Sequence, residues 1–170
     1  MIPREELYNT TLFQGYLVPL LAPGATVGGP IAGQTPGVPT LTQPFNVVSR
    51  ETIEVQRVPP LLQPVLFMDE AVEEYIDYGP GLTSLTATVY FHVGVTSAPG
   101  TSAASLLNPL LDLLNEALTS DLAVATKFGL GDLIERAQFK GISVKNLGQN
   151  NTDPKYRQAV AYVPFEIIFA

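Results

Sequence analysis

The sequence predicts a single α+β domain, residues 1–170, in which a mainly antiparallel sheet carries helices packed on one face. Alternating apolar residues in 82–96 and 159–169 are typical of long strands with one buried face. Leucines at helical spacing within 107–118 are typical of an amphipathic helix. The chain has 170 residues, 46% of them hydrophobic, so it is long enough to bury one core.

The first element is predicted to be a helix from about Pro3 to about Leu17. Pro stands near its start, acidic residues occupy its first turn, and Tyr8, Leu12 and Tyr16 recur at a spacing of four.

A long Gly/Pro-rich loop, Ala22 to Pro44, follows the first helix. Ten of its 23 residues are Gly or Pro, and it lies within the uncharged stretch 7–49. Such a segment does not repay its ordering entropy unless something covers it. Two interpretations are open: a disordered surface loop, or an arm that orders against a neighbouring subunit. For the arm, the candidate inter-subunit residues are Val27, Ile31, Val38 and Leu41.

Two strands are predicted next. Within 45–58, Ile53 and Val55 alternate with Glu54 and Gln56, which indicates a half-exposed strand. A short apolar strand, Pro64 to Met68, then runs into an acidic stretch and a turn at Gly79 to Gly81.

The remaining elements follow from periodicity and turn residues. Pro109 is expected near the first turn of the leucine-rich helix, which is therefore predicted to begin between Ala104 and Asn108, with Asp112 among its exposed residues. A strand is predicted over 133–146, with a bulge at Gly141. A polar turn then leads to the closing strand, and no internal repeat is evident.

The sequence favours a protein that is not an enzyme and holds no metal or cofactor. His92 is the only histidine and there is no cysteine, so thiolate chemistry is excluded and any triad depends on this one residue. Motifs for phosphate, dinucleotide, calcium or zinc-protease sites are absent. A histidine on the polar face of a strand is more often a hydrogen-bonded surface residue than a catalytic one.

One acidic run stands out as a candidate site. Whether the run is helical or extended, like charges are crowded, which raises carboxylate pKa values or attracts a divalent cation. A solvated negative surface is the simpler interpretation. The run consists of Asp69, Glu70, Glu73, Glu74 and Asp77.

Charge is unevenly distributed along the chain, whose net charge is -7. Residues 1–121 hold three basic and twelve acidic residues, whereas residues 122–170 hold six basic and four acidic ones. The net negative charge disfavours a basic nucleic-acid binder. The uneven distribution allows head-to-tail stacking of complementary faces. Intermixing of acidic and basic residues in space is an equal alternative. The acidic start predicts no secretory leader, and no apolar stretch is long enough for a membrane helix.

The order of elements and four short sequence segments resemble the tail-terminator (tail-completion) proteins of long-tailed bacteriophages. The likeness covers the first helix and everything from Phe45 onward, whereas the link 22–44 is longer than is usual in that family. The four segments are Phe45–Arg50, Gln63–Phe67, Leu106–Asp112 and Val163–Ile167.

This resemblance implies a structural virion protein, made in the host cytoplasm and placed at the head-proximal end of the tail. Such proteins form a ring, usually a hexamer, that caps the tail tube, ends its polymerisation and contacts the head-side connector. DNA passes through without sequence-specific binding, and no membrane is involved. A carboxylate-lined channel suits this role because it repels phosphates. The acidic run is thus predicted to line the channel or its mouth.

Competing hypotheses remain open. Within the structural class, the chain is a candidate for another head-to-tail joining or neck protein. From a different class, a carboxylate-dependent hydrolase would use the acidic run together with His92. A monomeric binding module is the residual alternative.

Overall fold

A computed structural model describes residues 5–17, 26–27, 41–42, 45–50, 53–77, 79–80, 83–119, 134–140 and 144–169. The helices in these ranges are α1 (Glu6–Leu17) and α2 (Ala103–Thr119). The strands are β1 (Thr26–Val27), β2 (Leu41–Thr42), β3 (Val47–Ser49), β4 (Val65–Met68), β5 (Val72–Asp77), β6 (Thr83–Ser97), β7 (Ile134–Phe139), β8 (Val144–Gln149) and β9 (Arg157–Phe169).

Strands β3 to β9 form one mixed sheet, and the predicted α+β class is confirmed. Strands β6 and β9 lie at its centre and pair antiparallel from Thr86 opposite Ile168 to Ser97 opposite Arg157. All other pairs in this sheet are antiparallel except β3 with β4.

Each central strand is flanked by a broken strand. β4 and β5 pair with successive parts of β6, and β7 and β8 pair with successive parts of β9. The order helix, broken strand, long strand therefore occurs twice along the chain. This recurrence exists in the topology alone, since the sequence shows no repeat.

Both helices cover one face of the sheet. Buried side chains of α1 and α2 join the inward-facing residues of β6 and β9 in one apolar cluster. Phe91 and Phe165 are buried in this cluster with their ring centroids 5.8 Å apart, and the partly buried Phe139 packs against both. On β6 the buried residues alternate as predicted: Leu85, Ala87, Val89, Phe91, Val93 and Val95.

Helix α1 lies where the sequence predicts a helix, but its buried stripe has a different spacing. Leu7, Leu12 and Leu17 are fully buried at intervals of five residues, and Tyr8 and Phe13 repeat the interval. The helix has π-type turns, in which hydrogen bonds join residues five apart, so residues at that spacing fall on one face.

Helix α2 begins slightly before its predicted start and places Pro109 in its second turn. The expectation that Pro109 lies near the first turn is therefore wrong. The proline removes the amide that would bond to the Ser105 carbonyl, and because both residues are exposed, water can reach that carbonyl. Ser102 Oγ accepts a hydrogen bond from the Ser105 amide (3.4 Å) at the helix start.

Two strand predictions are corrected. Val55–Arg57 forms a short 3₁₀ turn, with Val55 buried and Ile53 exposed, so the alternation there does not mark a strand. The predicted strand 133–146 is two strands: from Phe139 to Val144 the chain advances five residues while its partners on β9 advance three. Gly141 itself lies outside the described residues.

The predicted loop 22–44 contains a two-residue antiparallel ladder, with Thr26 opposite Thr42 and Val27 opposite Leu41. The candidate arm residues Val27 and Leu41 are therefore register partners. Ile31 and Val38 lie outside the described residues.

Candidate functional site

The face of the sheet turned away from both helices has two parts, here called the covered half and the open half. In the covered half, residues 53–63 lie over β4 and the adjoining parts of β6 and β9. The open half is the groove over β5, the first part of β6, the last part of β9 and β7.

The covered half contains a second, small apolar cluster. It forms because β6 has no side chain at Gly94, where a Cβ would overlap Val55 Cγ1 and lie 3.4 Å from Val65 Cγ2. Glycine is needed here for close approach rather than for backbone freedom. The buried members are Val55, Val58, Val65, Phe67 and Val160.

A buried polar network joins residues 53–63, here called the covering segment, to Asn150 in the turn after β8 and to Gln158 at the start of β9. Gln158 Nε2 donates to the Val55 carbonyl (3.1 Å) and to Gln63 Oε1 (3.2 Å). Asn150 Nδ2 donates to the Val58 carbonyl and to Gln158 Oε1, both at 2.8 Å. These bonds satisfy backbone carbonyls that burial would otherwise leave without water.

Asn150 also organises its own turn. Its Oδ1 accepts hydrogen bonds from the Thr152 amide (3.0 Å), Thr152 Oγ1 (2.6 Å) and the Asp153 amide (3.1 Å). The neighbouring Asn151 amide donates to the Gln56 carbonyl at 2.9 Å. No local pattern in the sequence predicts this network, because its members are separated by up to 103 positions.

The open half is a polar groove of about 600 Å³. Carboxylates, cations and hydroxyls line it, so its chemistry fits a polar or charged surface better than an apolar ligand. The lining residues are Val72, Glu74, Ser84, Thr86, Thr88, Glu135, Arg136, Lys140, Glu166 and Ile168.

Glu166 is a buried carboxylate at the base of this groove, with 4% of its side chain exposed. Its Oε2 forms an ion pair with Lys140 Nζ, and its Oε1 accepts a hydrogen bond from Gln138 Nε2 (3.2 Å). Both oxygens are engaged, which makes Glu166 a fixed part of the wall. A lone acid in an otherwise apolar closing strand was the available sequence signal.

One cross-strand row spans the open half from edge to edge. Glu74 lies opposite Thr86, Thr86 opposite Ile168, and Ile168 opposite Arg136. All four side chains line the same groove. Glu74 and Arg136 are thus level with each other on one face, separated by three strand spacings, roughly 14 Å.

The two edges of the sheet carry opposite charge. β5 contains Glu73, Glu74 and Asp77 and no basic residue. On the other side, residues 134–149 contain one acid, Glu135, and three basic residues, Arg136, Lys140 and Lys145. For these strands, the uneven distribution of acidic and basic residues along the sequence corresponds to a separation of charge across the sheet.

The acidic run is divided between the faces of the sheet. Glu73 lies on the helix side, where its Oε1 accepts a hydrogen bond from the Tyr8 hydroxyl (2.8 Å). Glu74 lies in the groove, Glu70 is exposed, and Asp69 is beside His92 on the helix-free face. Asp77 ends β5, and its side chain is not described.

His92 lies at the boundary between the two halves. Its Nε2 is 3.3 Å from Asp69 Oδ2, and its ring meets the Tyr162 ring edge-on at 4.9 Å. Burial lowers the pKa of His92, and the Asp69 carboxylate partly opposes this shift. The pair has the elements of an acid–base dyad and also of an ordinary satisfied strand histidine.

No group of three His, Asp or Glu side chains within the described ranges is arranged to hold a metal ion. Among those same residues, no helix is long and apolar enough to cross a membrane.

Compared with models of known protein families, the chain matches none, and no curated protein sequence matches it.

Proposed function

We propose that this protein is a ring-forming structural component of a phage virion, a tail terminator that caps the tail tube, ends its polymerisation and joins it to the head-side connector. The observation that carries the proposal is the charge separation across the sheet. It supports the proposal together with the short sequence segments that resemble this family. An acidic edge and a basic edge on opposite sides of one sheet favour head-to-tail contact between identical subunits.

Head-to-tail contact uses two different surfaces of each subunit. Such heterologous contacts leave one unsatisfied surface at each end until the series closes into a ring. A ring of this kind, with six copies in the family that the chain resembles, contacts the last ring of the tail tube on one side and the connector on the other. This places the protein at the head-proximal end of the tail, after synthesis in the host cytoplasm.

DNA passes through the ring in this proposal, with the acidic run at the channel or its mouth. Asp69 is on the helix-free face and Glu70 is exposed, so these two are the members best placed to repel phosphates. Glu73 contributes less because it bonds to Tyr8 on the helix side. A ring with the whole run on its outer circumference would contradict this part. Residues 22–44 are proposed as the arm that orders against the neighbouring subunit.

Native mass spectrometry of the purified protein, alone and with tail-tube subunits, tests the proposal. We expect a closed homo-oligomer, either by itself or after addition of the tube protein. A protein that stays monomeric in both conditions contradicts it. Pull-down against tail-tube and portal-side proteins separates a terminator from a neck protein, since a neck protein would retain only the portal side.

The Asp69–His92 contact is the one observation that favours the hydrolase alternative. A pairing of Glu73 with Glu74 is not available to it, because these side chains are on opposite faces. Turnover of chromogenic ester or glycoside substrates that is lost in Asp69→Asn would support this alternative.

A further inference from the structure

The strand directions at the two sheet edges are complementary. β5 is antiparallel to β6, β6 to β9, and β9 to β7, so β5 and β7 run in opposite directions. When two copies are placed side by side with the same face toward the viewer, β7 of one copy is therefore antiparallel to β5 of the next. That is the pairing found through most of the sheet. In the part of the chain that the structure describes, no strand pairs with the outer edge of β5 or of β7.

The charges at these edges are also in register. Glu74 and Arg136 end the same cross-strand row, and both are exposed on the helix-free face. If the rows continue without stagger into the next copy, its Glu74 is directly opposite Arg136. Oppositely charged residues at facing positions stabilise a strand pair.

We propose that the outer edge of β5 binds the outer edge of β7 in a second copy of this chain, antiparallel, with Glu74 opposite Arg136. This interface rests on the proposed head-to-tail self-association and specifies which surfaces form it.

The neighbouring rows agree with this register. Val72 is level with Gln138, and Glu73 is level with Ala137, as the pairings through β6 and β9 show. In these two rows no like charges face each other, whereas Glu135, in the bulge between Ile134 and Arg136, lies beside Arg136 in the same groove. The result is one sheet that extends from subunit to subunit.

The charges at the edges favour binding of a second copy of the chain, with the β5 edge of one copy against the β7 edge of the other. Two β5 edges brought together would place carboxylates against carboxylates, whereas β7 carries Glu135 beside Arg136 and has no net charge of its own. Like charges at facing positions are unfavourable. A symmetric dimer through the β5 edge is therefore disfavoured, whereas the contact between unlike edges that sets Glu74 opposite Arg136 is favoured.

Disulfide trapping tests the interface, because the chain has no cysteine of its own. The variant with both Glu74→Cys and Arg136→Cys is expected to give a ladder of covalent oligomers on mild oxidation. An intramolecular bond is excluded, since the two positions are roughly 14 Å apart and a disulfide joins Cα atoms about 7 Å apart at most. Each single-cysteine variant is expected to give no ladder.

The pair Glu74→Cys with Gln138→Cys is the matched register control. Position 138 is on the same strand and face as position 136 but two residues away, so its diagonal geometry is expected to give much less product. Equal yields from the two pairs overturn the register. A wild-type oligomer whose 74–136 variant stays folded and does not cross-link overturns the edge pairing, while the ring proposal stands. A wild-type monomer with and without tube protein overturns both.

Charge reversal gives a second, independent measurement. Glu74→Arg alone and Arg136→Glu alone are each expected to weaken assembly by about fivefold or more per contact, and the double reversal is expected to restore it. Asp112→Arg, on the exposed side of α2, is the control and should leave assembly unchanged. Failure of the double reversal to restore assembly counts against the facing pair.

Discussion

The covered and open halves of the helix-free face share the same two central strands, but among the described residues only the covered half has a second layer. There, Gly94 leaves space for Val55, and the Asn150–Gln158–Gln63 network bonds the carbonyls of the covering segment. In the open half, Thr86 and the Glu166–Lys140 pair present polar groups instead. A sheet face gains a covering layer only where it offers both apolar contact and partners for the backbone that covers it.

The largest predicted effect is at Asn150, which makes five side-chain hydrogen bonds in the covered half. Asn150→Ala removes the partner of Gln158 Oε1 and of two turn amides and leaves the Val58 carbonyl with Gln63 Nε2 as its remaining donor. We expect a loss of about 3 kcal/mol of unfolding free energy. Urea unfolding measures the loss, and amide exchange should show that residues 53–63 lose protection first.

Asn151→Ala is the matched control for this prediction. Asn151 is exposed, and its bond to Gln56 uses the backbone amide, which alanine retains. Its effect should be within about 0.5 kcal/mol. Equal losses at positions 150 and 151 would show that the network does not hold the covering segment.

Gly94→Ala is expected to have the next largest effect. Its Cβ overlaps Val55 Cγ1, and the resulting strain should cost about 2 kcal/mol in a urea titration. Gly148→Ala, where a Cβ meets nothing within 4 Å, should be nearly neutral.

A second substitution sharpens this prediction. Val55→Ala removes the atom that the new Cβ at position 94 would meet, so the double variant should recover part of the loss from Gly94→Ala. Strictly additive losses would mean that Gly94 is not required for the contact with Val55.

The smallest predicted effect is a pH dependence at the boundary between the halves. Burial lowers the pKa of His92 below 6.5, so the unfolded chain takes up a proton at a higher pH than the native one does. This contribution to stability is fully present above that pH and decreases as the pH falls toward the native pKa. We expect the urea midpoint to fall between about pH 7 and pH 5, with a shallower fall in His92→Gln.

Asp69→Asn provides the comparison for this prediction. Because the Asp69 carboxylate raises the pKa of His92, its removal should lower that pKa further and extend the loss of stability to lower pH. An unchanged profile in both variants would show that His92 does not contribute to the pH dependence.

The long elements were predictable from local patterns. The alternation in β6 and β9 correctly indicated the central strands, and the leucine spacing correctly indicated α2. These elements are long, and each buries one regular face, so periodicity alone is informative. At Ile53 and Val55 the same alternation failed, because Ile53 is exposed while Val55, at the start of a three-residue turn, is buried, so the two side chains do not share a face.

The candidate site was less predictable. The acidic run was found, but neither its extended form nor its division between two faces follows from the spacing of the acids. Arg136 and Lys140 were missed because each is unremarkable until β7 pairs with β9, and Glu166 was missed although it is the lone acid of the closing strand. The sequence showed that acidic and basic residues are separated along the chain, but it did not show which edge of the sheet carries which charge.

The sequence by itself determined which segments bury a face and which carry charge, since both depend on neighbouring residues in the chain. Only the tertiary structure decided that Glu74 and Arg136 end one row, and that Asn150 and Gln158 fasten a segment about a hundred positions earlier. Those relations arise from the order in which strands pair, which depends on contacts between distant parts of the chain and is not encoded in local periodicity.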